Sequence, residues 1–250
     1  MTRVIYIPGF NDKTSNLKRL QRFSKNCDIE SLKLPGHDGY KEDIGFSMFA
    51  VIQELNSILE ESEGNIILVS YSLFALPVIE SIKKNSWKVS KLLLLNPAFD
   101  PNIAVENMFN SFCLKEWEGQ KSIKDIIEGK GEMLERLMEN GKIVWDRRQF
   151  ISDLESYNNK GFQENLTGSL RGIKTPVQIL YNPNDQIIFP KAPYKDKLDW
   201  PTNVIINDNL KGAEILWRKN PSKSMKAMLS HIPYFQRSNT DISDFLLVNT

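Results

Sequence analysis

The chain has 250 residues, 41% of them apolar and 25% charged, a balance that excludes global disorder and leaves enough apolar material for one large core. Its 32 basic and 31 acidic side chains give a formal net charge of +1, so no long-range field gathers nucleic acid or an anionic membrane. The expected partner is a small molecule or another protein, and the expected organisation is one domain with an insertion.

Val4 to Ile7 is a short β-branched and aromatic run stopped by Pro8-Gly9, which predicts a buried strand feeding a loop. It is too short for the apolar stretch of an export signal. Leu17, Leu20 and Phe23 recur at helical spacing, and Asp28 to Leu34 predicts a second strand closed by Pro35-Gly36. A second helix is expected over Asp43 to Glu61, with Phe46, Phe49, Ala50, Ile52, Leu55, Ile58 and Leu59 on its apolar face.

Ile66 to Val69 predicts a third strand, Leu73 to Lys84 a helix, and Leu92 to Leu95 a fourth strand closed by Asn96-Pro97. Val177 to Tyr181 and Val204 to Ile206 predict two more. Strands alternating with helices imply an α/β fold with a mostly parallel sheet. Between Asp100 and about Gly172 the pattern is helical, with Ile123, Ile126, Ile127, Met133, Leu134, Leu137 and Met138 at three- and four-residue steps. Two readings are open for this stretch: a helical decoration that buries its own apolar face, or a lid over a site at the sheet's edge.

Cys27 and Cys113 lie far apart without metal-type spacing, which fits a reducing compartment. No apolar run approaches the roughly 20 residues that cross a bilayer. A soluble, cytoplasmic protein is expected, and its oligomeric state is left open.

Asn65 to Leu76 is a buried strand running straight into a helix with a serine at the corner. In a parallel sheet ligands gather at the carboxyl ends of strands, and the amides that open the next helix favour a developing negative charge. A serine before a helix also serves simply as a cap. A hydroxyl needs a base to become a nucleophile, and the chain has only two histidines, His37 and His231.

Ser70-Tyr71-Ser72-Leu73-Phe74 resembles the G-x-S-x-G nucleophile elbow of the α/β-hydrolases, with Ser70 and Phe74 in place of the two glycines. Glycine there relieves crowding between strand and helix; Ser70 is small enough for its place, and Phe74 is the departure from the motif. Pro77 is expected to remove one early helical hydrogen bond and bend the helix. The family's order of nucleophile, acid and histidine is met by Ser72, Asp185 and His231. Asp185 stands in Asn182-Pro183-Asn184-Asp185, which resembles the acid-bearing turn but is also ordinary turn chemistry. His231 precedes a helical pattern at Ile242, Phe245 and Leu246, and a last strand at Met225 to Leu229 is an alternative ahead of it.

Ile7-Pro8-Gly9-Phe10 resembles the family's oxyanion loop, and Leu34-Pro35-Gly36-His37 its structural P-G-H-G segment. The resemblance implies a lid-bearing α/β-hydrolase, with residues 1–99 and 172–250 as the core and 100–171 as a helical lid. It implies an ester or thioester hydrolase in which Ser72 attacks, His231 shuttles the proton, Asp185 orients it, and the amides of Phe10 and Leu73 hold the oxyanion. Met108, Phe112, Trp117 and Trp145 either line an acyl or ring pocket or form the lid's own core. A lactonase, a carbon–carbon hydrolase, an acyltransferase and a non-catalytic binding protein of the same fold are the alternatives. No dinucleotide, P-loop or zinc motif occurs in the sequence, so no cofactor or metal is expected.

Overall fold

In the computed structural model, the described residues are 2–10, 17, 21, 27–37, 40, 43–112, 142–163, 165, 168–180, 204–207, 215–216 and 234–235, those at 2, 106, 108–112, 161–163 and from 204 onward by backbone alone. Strands β1 (Thr2–Ile7), β2 (Cys27–Ser31), β3 (Ile66–Tyr71), β4 (Val89–Leu95), β5 (Val177–Leu180) and β6 (Val204–Asn207) form one six-stranded sheet in the order β2-β1-β3-β4-β5-β6. Every pairing in it is parallel. A separate antiparallel pair joins β7 (Ile215–Leu216) to β8 (Tyr234–Phe235).

Alternate residues of each strand enter opposite cores, as the two-residue period of a strand requires. Ile5, Ile7, Ile66, Leu68, Leu92, Leu94, Val177 and Ile179 face one cluster. Val4, Tyr6, Ile67, Val69, Leu93, Leu95 and Leu180 face the other, where Leu17 packs. Such strands, apolar on both faces, are what a parallel sheet covered by helices demands.

Helix α1 (Met48–Glu61) and helix α2 (Ala75–Asn85) cover the first face. Ser47 opens α1, its side chain accepting from the Ala50 amide at 3.0 Å, which supplies one of the partners that helix ends lack. The helix therefore starts five residues later than the pattern from Asp43 predicts. Phe46 is not helical; it pairs with Trp145 in an isolated bridge. Phe49 is 48% exposed, while Met48 and Val51 are buried instead.

Helices α3 (Pro101–Phe112) and α4 (Arg147–Gln163) lie in the stretch between β4 and β5, and β4 pairs directly with β5 across it. The chain returning into α4 is stitched to the core by backbone bonds from Phe46 N to Val144 O, Val144 N to Gly36 O and Asp146 N to Phe46 O, at 2.7, 2.8 and 3.0 Å. The helical pattern at Ile123 to Met138 and the alternative strand at Met225 to Leu229 lie outside the described residues. Among the described residues no helix is long and apolar enough to cross a membrane.

Candidate functional site

The sheet order places β1 between β2 and β3. The chain thus leaves β1 for one neighbour and later returns on its other side. That reversal makes the carboxyl ends of the two strands a topological switch point, the usual place for a ligand in such sheets. Pro8-Gly9-Phe10 follows β1 there, and Ser72 follows β3.

Ser72 has φ of 62°, a left-handed backbone that costs a residue with a Cβ about 1–2 kcal/mol. Tyr71 before it is still extended, and a single 3-10 turn, Ser72–Phe74, runs straight into α2. A strand therefore becomes a helix within one residue, and Ser72 sits at the corner. It is 8% exposed. The amides that follow open the helix, where backbone donors are left over for a ligand.

The replacement of the elbow's second glycine does not crowd the helix in the way the sequence suggests. Phe74 is fully buried, with its ring set edge-on against Phe46 at 5.8 Å between centroids. Pro77 is the third residue of α2, within the first turn, where amides have no partner inside a helix. Ser70 points to the α2 side of the sheet and is fully buried.

Gly9 meets the elbow directly: a Cβ there would strike the Tyr71 ring and come 3.4 Å from the Ser72 Cβ. Only glycine lets these two turns approach so closely. Phe10 then packs on Phe46 and His37, with centroids 5.5 and 6.4 Å away. Phe46 is the hub of this ring cluster, also touching His37 at 5.1 Å and Phe150 at 5.4 Å.

His37 Nδ1 lies 3.0 Å from the Pro35 carbonyl. A carbonyl only accepts, so Nδ1 carries the proton and Nε2 the lone pair. Burial pushes this imidazole below its ordinary 6.5, more strongly than the Pro35 bond raises it, and Nε2 has no partner among the described residues.

Trp145 is half-buried, packed against the core and edge-on to Phe150 at 6.1 Å, with Arg147 5.9 Å over its ring. Met108 and Phe112 are on α3, described by backbone alone. Asp185, His231 and Trp117 lie outside the described residues.

The turn after β4 adjoins the Ser72 corner. Asn96 there is fully buried with φ of 43°, and the Ala98 amide donates to the Ser72 carbonyl at 2.9 Å. Asn96-Pro97 signals a turn in sequence; its contact with the elbow leaves no local trace.

Solved structures share this fold. A protein of Acinetobacter baumannii classed as a lipase matches with a TM-score of 0.52 at 15% identity, over 75% of this chain and 68% of that one. Alpha/beta hydrolase domain-containing protein 10 of mouse matches with a TM-score of 0.50 at 18% identity, over 74% of this chain and 70% of the other. The chain has the α/β-hydrolase fold. No protein-family model and no curated protein matches its sequence. The Ser72 corner and the Gly9-Phe10 turn stand together at the carboxyl edge of this sheet.

Proposed function

We propose that this protein is a serine hydrolase that cleaves a carboxylic ester or thioester through an acyl-enzyme. The observation that carries the reading is the left-handed Ser72 at the strand-to-helix corner, facing the Gly9 turn across the switch point of the sheet. A fold that maintains a non-glycine residue at positive φ holds that side chain at the corner against a standing cost.

In this mechanism Ser72 Oγ attacks the carbonyl carbon as its proton passes to His231, which Asp185 orients. The negative charge on the carbonyl oxygen is held by the amides of Phe10 and Leu73. Each such donor is worth roughly 100- to 1000-fold in rate. Collapse of the tetrahedral intermediate expels the alcohol or thiol, which takes the proton from His231. Water, deprotonated by the same histidine, then hydrolyses the acyl-enzyme and frees Ser72.

Residues 100–171 act in this reading as a lid, and Met108, Phe112, Trp117 and Trp145 as an apolar wall for the acyl or ring portion of the substrate. The half-buried position of Trp145 beside the ring cluster supports that assignment. The enzyme works in the cytoplasm without metal or cofactor.

A panel of aryl esters and acyl thioesters of increasing chain length tests the reaction. The wild type turns over at least one class, and Ser72→Ala, Asp185→Asn and His231→Asn each lower kcat by about 10⁴-fold or more while keeping the wild-type melting temperature to within about 2 °C. Full turnover by folded His231→Asn contradicts the triad.

A further inference from the structure

We infer that the Asn96–Ala98 turn after β4 is a positioning element for the oxyanion site, acting through the backbone of Ser72. This rests on the hydrolase reading above and adds to it a group that acts on Ser72 through its backbone carbonyl.

The Ser72 carbonyl accepts two hydrogen bonds, from the Ala75 amide within the 3-10 turn and from Ala98 at 2.9 Å. A peptide unit is planar and trans, so the carbonyl of Ser72 and the amide of Leu73 point in opposite directions from one rigid plate. Holding the carbonyl therefore aims the amide. Strand β3 lies between β1 and β4. A carbonyl bonded to the turn after β4 sends the Leu73 N–H away from β4, to the side on which the Gly9-Phe10 turn lies. The two proposed oxyanion donors then converge.

The turn is itself anchored on its far side. Asn96 donates its amide to the Leu180 carbonyl at 2.7 Å, where Leu95 pairs with Leu180 in register. Leu180 is the last residue of β5, five positions before Asp185. One three-residue turn thus ties the elbow strand to the strand that leads toward the proposed acid. Asn96 adopts φ of 43° directly before a proline. Asparagine tolerates that conformation and a β-branched residue does not.

The test exchanges Ala98 in the full chain for lactic acid, which replaces its amide N–H with an ester oxygen and leaves the side chain unchanged. The readouts are kcat and KM on p-nitrophenyl butyrate, and inhibition by phenylboronic acid, whose tetrahedral serine adduct uses the oxyanion donors. The expected result is a fall in kcat of about tenfold, a fraction of the loss from deleting a donor outright, with KM within about twofold. Boronate affinity falls by the same factor as kcat.

Asn96→Val gives the same split, and Asn96→Gly, which accepts a positive φ, loses less kcat than Asn96→Val. A melting temperature measured on each variant separates this from loss of fold. An ester variant with wild-type kcat and boronate affinity overturns the inference, as does a kcat loss that only follows the unfolded fraction. A wild type that neither hydrolyses the ester nor reacts with a fluorophosphonate overturns the hydrolase reading instead, and the positioning role with it.

Discussion

Two close approaches in this molecule are solved in opposite ways. Where the chain returning into α4 crosses the loop after β2, Gly36 has φ of 70°, and a Cβ there would strike the Val144 carbonyl and the Phe46 amide. Both neighbours are backbone and cannot move aside. At the elbow, where the α/β-hydrolase motif has glycines, the chain has Ser70 and Phe74, and Phe74 turns its ring into the cluster around Phe46. Glycine is thus indispensable where backbone meets backbone and replaceable where a side chain has a cavity to enter. The same Phe46 serves both places, bonded to Val144 on one side and met edge-on by Phe74 on the other.

Restoring the family glycine at the elbow is the strongest way to break this comparison. Phe74→Gly empties a fully buried ring site and is expected to lower unfolding stability by about 4 kcal/mol, with no gain in activity from a restored motif. Denaturant titration beside an activity assay checks both, and a variant as stable as wild type would mean that Phe74 is merely tolerated. Gly36→Ala comes next. It combines a left-handed cost with an overpacked backbone contact, about 3 kcal/mol together, measured in the same titration.

The smallest effect concerns pH. His37 is held below its ordinary 6.5 by burial in the ring cluster. As pH falls below about 6.5 the unfolded chain takes up a proton that folded His37 still refuses, so stability declines. The decline stops at the lower folded pKa, where both states are protonated. His37→Gln removes this contribution, so the stability-pH curve of the variant is flatter than that of wild type on the acid side of 6.5.

The strands were legible because short apolar runs bounded by Pro-Gly or Asn-Pro carry their own signal, as in Val4 to Ile7 and Leu92 to Leu95. The start of α1 was misread because Phe46 falls at helical spacing from Ala50 and Phe49, while its bridge to Trp145 is a contact across 99 positions. The nearer signal was Ser47, a helix cap.

At the site, Gly9 and Ser72 were legible as turn residues at strand ends. The positive φ of Ser72 was not, since serine does not advertise it as glycine does. The fit of Phe74 and the bond from Ala98 were also hidden, because each depends on a partner brought in by the tertiary fold. Asp185 rests on its strand-turn segment and on order along the chain, and His231 on that order and its place before a helical pattern; both lie outside the described residues.

The central claim is that Ser72 is an activated nucleophile. Reaction of the full chain with a fluorophosphonate, followed by intact mass and peptide mapping, tests it most directly. The account predicts one adduct per chain, located on Ser72 and absent from folded Ser72→Ala. A folded wild type that stays unmodified, or an adduct on another residue that persists in Ser72→Ala, contradicts it.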